Sequence, residues 1–121
     1  MSVFINHTNH PAANWSPEQK QAALAYGNSI VDMAFPELPA NYTEQQIAEL
    51  TQKSFSKIIS LQPAAVLCQG EFTYTYGLVK LLKEKGIPVL AACSERNSKE
   101  EWNGSVSRKV SYFRFVQFRK Y

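Results

Sequence analysis

The sequence predicts an α/β domain in which about five strands form a mostly parallel sheet covered by helices on both faces. Short apolar segments rich in β-branched residues alternate with segments whose apolar residues recur every three or four positions. This alternation is typical of parallel strands joined by right-handed helical crossovers. The last apolar segment follows no helical segment, which predicts an antiparallel strand at the sheet edge.

Length and composition agree with a single domain over residues 1–121. The chain has 121 residues, 45% of them hydrophobic, which suffices for one core and leaves no room for a second. Together with the order of strands and helices, this predicts a Rossmann-like three-layer sandwich.

The N-terminal third contains two predicted strands and one predicted helix. Val3–Ile5 is a short β-branched and aromatic segment that ends at polar residues, which is typical of a buried strand. Ser16 is a good N-cap and a proline follows it, so a helix is expected over residues 17–26. A second strand is expected over residues 29–35, because Pro36 follows it.

The middle of the chain repeats this pattern. Thr43 caps a second predicted helix, whose apolar face is formed by residues three and four positions apart between Ile47 and Leu61. Ala64–Cys68 is a continuous apolar segment and predicts a third strand. A tight turn then leads into a third helix, which is expected to stop at Gly86.

The C-terminal third contains two more predicted strands. Ile87–Cys93 is wholly apolar, as expected for a strand covered on both faces. A polar connection over residues 95–109 follows, and it is expected to be least ordered between Asn97 and Ser107. It leads into a strongly aromatic last strand, Val110–Phe118.

Charge and cysteine usage narrow the classes of function. The net charge is only +3, but five basic residues lie close to the carboxyl terminus: Arg108, Lys109, Arg114, Arg119 and Lys120. They indicate a small anionic ligand or a phosphate backbone without a long duplex footprint, or alternatively the charged outer face of an edge strand. No apolar run suits a leader or a membrane span, so a cytoplasmic protein is expected. Cys68 and Cys93 lack metal-type spacing and are expected to be reduced.

Three polar motifs follow the first, third and fourth predicted strands. They are Asn6-His7-Thr8-Asn9-His10-Pro11, Gln69-Gly70-Glu71-Phe72-Thr73 and Ser94-Glu95-Arg96. Open parallel sheets bind ligands beyond the carboxyl ends of their strands, where neighbouring connections diverge to opposite faces. The three motifs are therefore expected to converge on one ligand site.

The first motif offers titratable and hydrogen-bonding groups. Beside a phosphate, His7 or His10 would serve as a donor or a general base near neutral pH. Asn6 and Asn9 suit base edges or phosphate oxygens. The two histidines lack a third ligand at matching spacing, so no metal site is predicted. The alternative is a hydrogen-bonded turn that precedes the helix cap at Ser16.

The second motif suggests a phosphate cradle. Gly70 permits close backbone approach, and the N–H groups of residues 71–73 at the start of the third helix suit a phosphate. The Glu71 carboxylate would repel that phosphate, and could instead cap the helix or accept a hydrogen bond from a ribose hydroxyl or a base. An ordinary strand-to-helix turn is the alternative.

The third motif offers Arg96 as a phosphate clamp, because its planar guanidinium makes bidentate contacts. Cys93 lies beside this motif, but the glycine and the arginine spacing of a phosphatase loop are missing, so a cysteine nucleophile is not expected. The sequence also lacks a Walker-type glycine-lysine loop and a Gly-x-Gly-x-x-Gly fingerprint. This disfavours mononucleotide triphosphatases and dinucleotide oxidoreductases, and no cofactor is predicted.

The three motifs, combined with Trp15 and the terminal segment 113–119, resemble those of small CRISPR-associated accessory proteins of type III loci. The resemblance spans nearly the whole chain. That family is similar to Rossmann-like sensor domains and ring nucleases, which bind cyclic oligoadenylates and in some members cut them.

The resemblance implies that the chain binds and cleaves a cyclic oligoadenylate as a metal-independent ring nuclease in antiviral defence. His7 or His10 would then be the acid or base, and Arg96 would stabilise the developing charge. The residues implied to contact the ligand are Asn6, Thr8, Asn9, Gln69, Gly70, Glu71, Phe72, Thr73, Ser94 and Glu95. A ligand with rotational symmetry is most simply held across a two-fold axis, which implies a homodimer.

Two other classes of function remain open. A non-catalytic binder that sequesters the same messenger would use the same site without a titratable histidine. A nucleotide-binding regulatory subunit would bind a linear mononucleotide and pair with another protein. Ring size, cleavage products and the identity of the base are not fixed by the sequence.

Overall fold

The protein folds around a single five-stranded sheet. A computed structural model describes residues 2–121, apart from the side chains of Lys99, Asn103, Lys109 and Ser111. The strands are β1 (Val3–His7), β2 (Ser29–Asp32), β3 (Pro63–Cys68), β4 (Val89–Asn103) and β5 (Val106–Lys120). Their order in the sheet is β2-β1-β3-β4-β5, with β1 to β4 parallel and β5 antiparallel to β4 at the edge. The predicted α/β class and the antiparallel terminal edge strand are confirmed.

The helices begin where their caps predict. They are α1 (Pro17–Leu24), α2 (Glu44–Ser60) and α3 (Phe72–Glu84), with a short 3-10 helix at Ala12–Asn14. Ser16 Oγ accepts a hydrogen bond from the Gln19 N–H at 3.2 Å, and Thr43 forms a reciprocal capping box with Gln46. None of the helices formed by residues 2–121 is long and apolar enough to cross a membrane.

The core has two layers because successive strand residues point to opposite faces of the sheet. On one face α2 and α3 cover buried residues that include Ile5, Val66 and Leu78. On the other face Phe4 and Leu67 pack with α1, Trp15 and the half-buried Phe118 of β5. This second face therefore carries one helix, and the remaining space lies between α1 and the terminal hairpin.

The polar segment after residue 94 is a β-hairpin. Strands β4 and β5 run as a continuous antiparallel pair from Leu90 and Lys120 to Asn103 and Val106. A two-residue turn closes it, and Gly104 has a φ of +68°, which glycine adopts without strain. The prediction that residues 97–107 lack regular structure was wrong. Cross-strand backbone pairing does not require apolar periodicity when both faces of a hairpin meet water.

Candidate functional site

The candidate site lies at the point where the connections of two neighbouring strands diverge. Strands β1 and β3 are adjacent in the sheet, yet β1 leads to α1 on one face and β3 leads to α3 on the other. Such a point leaves a crevice at the carboxyl edge of a parallel sheet. The first two polar motifs follow β1 and β3 at this edge, whereas the third was expected to follow a strand and instead lies within β4, which continues to Asn103.

A cleft of about 660 Å³ opens there on the α1 face. Its volume lies within the range of small-molecule sites. Its lining residues are Thr8, Asn9, His10, Asn14, Trp15, Ser16, Gln19, Leu67, Gln69, Gly70, Ala92, Ser94, Phe113 and Phe115. Each motif thus contributes at least one residue. Aromatic rings and amide side chains dominate the wall, and His10 is the one histidine of this described lining.

Asn6 is buried and holds the loop after β1 by hydrogen bonds. Its side chain is 1% exposed, and Nδ2 donates to the His10 carbonyl and to Asp32 Oδ1, both at 2.8 Å. Its Oδ1 accepts from Thr8 Oγ1 at 2.8 Å, and Trp15 Nε1 donates to the same His10 carbonyl at 3.1 Å. Because these bonds engage both ends of its amide, Asn6 holds the loop after β1 and does not present its side chain to a ligand.

His7 belongs to the core. The ring is 1% exposed; one nitrogen, Nδ1, lies 2.7 Å from the Met33 carbonyl, and the other, Nε2, lies 2.6 Å from the Tyr74 hydroxyl. The carbonyl can only accept, so Nδ1 carries the proton and Nε2 accepts from Tyr74. Burial lowers the pKa of His7, an effect that Lys57 reinforces and the Met33 hydrogen bond opposes. The prediction of His7 as acid or base is corrected: the ring is buried, hydrogen-bonded at both nitrogens and absent from the cleft lining.

His10 occupies a different position, although it lies only three residues further on. Strand β1 ends at His7, so the chain has turned out of the sheet at His10, whose side chain is exposed and lines the cleft. Asn9 is likewise exposed in the lining, and Thr8 is half-buried there. Of the two predicted histidines, the structure therefore brings His10 alone to the cleft.

Gln69 extends the sheet beyond the last paired residues of β3. Its Oε1 accepts from the Ala92 N–H at 2.9 Å, and its Nε2 donates to the Ala92 carbonyl at 3.3 Å. The side-chain amide thus substitutes for a strand backbone and ties β3 to β4. Gln69 forms part of the cleft floor with its polar atoms already paired.

The turn after Gln69 is built for packing rather than for a phosphate. A Cβ at Gly70 would overlap the ring of Phe35, which explains the glycine. The Glu71 carboxylate caps α3 by accepting from the N–H and the hydroxyl of Thr73. These hydrogen bonds, with the Thr73 hydroxyl contributing most, lower the pKa of Glu71. The predicted cradle is therefore corrected: a carboxylate of the chain itself occupies the helix N-terminus, and the exposed Phe72 lies outside the cleft lining.

The hairpin supplies the outer wall of the cleft. Ser94 pairs with Phe115 and Arg96 pairs with Phe113, and directly opposed residues of an antiparallel pair point to the same face. Arg96 therefore lies on the same face as the cleft aromatics, two pairs beyond Ser94. Glu95 pairs with Arg114 on the opposite face.

A β-bulge turns the aromatic side chains of β5 toward the α1 face of the sheet. The register shifts between Cys93 and Ser94, so that Cys93 pairs with Gln117 whereas Ser94 pairs with Phe115. Phe115 and Phe118 are three residues apart and would face opposite ways in a regular strand. The extra residue brings both rings to the α1 face, with centroids 4.9 Å apart.

Several cleft residues were not predicted as ligand contacts: Asn14, Trp15, Ser16, Gln19, Ala92, Phe113 and Phe115. The alternation of Phe113, Arg114 and Phe115 was an available signal for one aromatic face on the last strand. The side of the sheet to which that face turns depends on the bulge. Asn14 and Gln19 belong to a short 3-10 helix and to α1, whose placement depends on packing.

Both cysteines and the hairpin residue Arg108 lie outside the cleft lining. Cys68 is buried and Cys93 half-buried, both as free thiols, and burial raises the pKa of Cys68 to about 12. Arg108 lies 3.6 Å from Glu101 across the hairpin, while the Lys109 side chain is outside the described residues. Among described residues no three His, Cys, Asp or Glu side chains form a group that could hold a metal ion.

Comparison with known proteins places the chain in one family. No curated protein and no solved structure matches it. The model of the family described as "Uncharacterized protein MJ1673 family" matches residues 2–119, which is nearly the whole chain. The chain belongs to the MJ1673 family.

Proposed function

We propose that this protein binds a cyclic oligoadenylate in the cleft at the carboxyl edge of its sheet. The observation that carries the proposal is that the cleft has aromatic side chains on one wall and amide side chains on the facing wall. Phe113 and Phe115 provide rings on which adenine can stack, and stacking on aromatic side chains is a general mode of single-stranded nucleotide recognition. The facing wall carries Asn9, Asn14 and Gln19. Their amides match the donor and acceptor edge of adenine.

Arg96 supports the assignment of a phosphate-containing ligand. It lies two pairs beyond the cleft residue Ser94 on the same face of the hairpin, and we expect its guanidinium to reach a phosphate that is joined to a stacked nucleoside. Bidentate contact with a phosphate is the interaction to which arginine is best suited.

The resemblance of the motifs to type III CRISPR-associated accessory proteins supports the choice of a cyclic oligoadenylate over other adenine nucleotides. It also supports a homodimer, in which two clefts share one symmetric ring, and a cytoplasmic location, where such a messenger acts.

Ring cleavage is a second candidate function, favoured by the exposed His10 in the lining. Attack of a ribose 2′-oxygen on the adjacent phosphorus breaks the bond to the 5′-oxygen and leaves a 2′,3′-cyclic phosphate. His10 would take the 2′-hydroxyl proton or give a proton to the leaving 5′-oxygen. The cleft would contribute by aligning the two oxygens, which needs no metal.

Calorimetry with cyclic tri-, tetra- and hexaadenylate, ATP and linear oligoadenylate tests binding. One ring should bind more tightly than the linear compounds. Phe113→Ala should weaken it by about 1–3 kcal/mol, the usual contribution of base stacking. Arg96→Ala should weaken it by about 1.5–3 kcal/mol, as expected for a charged hydrogen bond. Phe72→Ala is the matched control, because Phe72 is 89% exposed but does not line the cleft. Absence of binding to every ring would refute the proposal.

Incubation of the labelled ring with excess protein and chelator separates the two candidate functions. A nuclease should cleave under these conditions, and His10→Ala should slow turnover by roughly a hundred-fold while affinity stays nearly unchanged. A pure binder returns the intact ring with wild type and variant alike. Equal turnover by wild type and His10→Ala would remove His10 from the mechanism.

A further inference from the structure

A smaller cavity adjoins the cleft on the side of β2. Its volume is about 290 Å³, and its lining includes Asn6, Thr8, Asn9 and Asp32. Thr8 and Asn9 line both the cleft and this cavity, so a single wall separates the two. A ligand that spans this wall would enter both spaces.

Asp32 is the carboxylate of this cavity, and its orientation is fixed. It ends β2, and its Oδ1 accepts from Asn6 Nδ2 at 2.8 Å and from the Ala12 N–H at 3.1 Å. Within the described part of the chain, these hydrogen bonds of Asp32 both use Oδ1. Asp32 is exposed and lines the cavity, so its carboxylate is accessible to a ligand there.

The chemistry of this position suits a ribose. A carboxylate accepts hydrogen bonds from hydroxyl groups and repels phosphates, so the cavity selects the sugar portion of a nucleotide. An acidic residue at the end of the strand beside β1 also serves this purpose in other α/β folds, where it binds a ribose 2′-hydroxyl.

We infer that Asp32 is a specificity-determining residue that accepts a hydrogen bond from the ribose 2′-hydroxyl of a nucleotide whose base lies in the neighbouring cleft. This inference rests on the proposed function and adds the selection of ribose over deoxyribose. Asn6 connects the cleft with the cavity, because one N–H of its side-chain amide donates to the His10 carbonyl and the other donates to Asp32. The loop after β1 and the carboxylate are thereby kept in fixed relation.

The test measures the affinity of wild type for cyclic tri-, tetra- and hexaadenylate and for the corresponding 2′-deoxy rings. Wild type should prefer the ribose form by about ten-fold or more, the range of a hydrogen bond to a charged group. Asp32→Asn should lose that preference, because it keeps Oδ1 as an acceptor for Asn6 and replaces Oδ2 by a donor. Its affinity for the deoxy ring should not fall, because the substitution removes repulsion of the phosphates and no hydrogen bond to this ring. Glu37→Gln, which removes an exposed carboxylate that lines neither space, should behave as wild type.

The outcomes distinguish this inference from the proposed function. If wild type binds ribose and deoxyribose rings equally, the role of Asp32 is overturned while cyclic oligoadenylate binding stands, and this comparison needs no variant. If Asp32→Asn changes the affinity for both forms by the same factor, the carboxylate acts through the loop or through net charge, and the inference is again overturned. If wild type binds no adenylate of either kind, both proposals fall.

Discussion

Replacing His7 by alanine should unfold much of the population at modest denaturant, whereas the same change at His10 should not. Loss of the His7 ring leaves a void between Phe35 and Tyr74, whose ring centroids lie 5.4 and 5.8 Å from that of His7. Truncation of a large core side chain costs about 2–5 kcal/mol. It also leaves the Met33 carbonyl and the Tyr74 hydroxyl without their partner, at about 1–3 kcal/mol for a buried polar group. Because these terms overlap, the expected loss is about 3–5 kcal/mol, a large share of the roughly 5–15 kcal/mol typical of a domain.

Urea denaturation followed by circular dichroism measures this difference, with the free energy of unfolding obtained by linear extrapolation. His10→Ala should lie within about 0.5 kcal/mol of wild type, because its side chain is exposed. His7→Gln keeps a donor and an acceptor on the side chain and should lose less than His7→Ala. A loss below about 1 kcal/mol for His7→Ala would refute the assignment of this ring to the core.

Three further predictions follow from the described contacts. Burial lowers the pKa of His7 below 6.5, so the unfolded chain binds the proton more readily. Stability should thus be full above about pH 6.5 and fall by at most about 1.4 kcal/mol per unit as the pH drops below it. The free energy of unfolding of wild type and His7→Gln is measured at pH 7.5, 6.5 and 5.5. An equal dependence on pH in the two proteins would contradict this prediction. Gly70→Ala should cost about 1–3 kcal/mol through overlap with Phe35. The double variant Gly70→Ala/Phe35→Leu should recover part of that loss. An unchanged melting temperature of Gly70→Ala would argue against close contact between residue 70 and the Phe35 ring. Glu71→Ala should cost about 1 kcal/mol through the lost cap on Thr73, with Glu71→Gln nearer wild type in the same melts.

The parts of the fold that depend on neighbouring residues could be predicted from the sequence. Ser16 and Thr43 mark helix starts because their side chains bond N–H groups three residues away. The apolar runs of β1, β3 and the start of β4 identify buried strands, because a strand covered on both faces needs no polar alternation. The convergence of the first two motifs on one edge follows from parallel strand order, whereas the third lies within β4.

The tertiary structure decided which residues of those motifs meet a ligand. His7 and His10 share one motif, yet one packs against α3 and the other lines the cleft, because the sheet ends between them. The ring of Phe35, 35 positions earlier in the chain, requires a glycine at position 70. A bulge in the pairing of β5 with β4 turns Phe115 toward the cleft. Such contacts join residues distant in sequence, and they depend on register and packing, which local propensity does not encode. The sequence by itself thus determined the elements and the edge where the site lies, while the packing of the sheet determined which side chains form it.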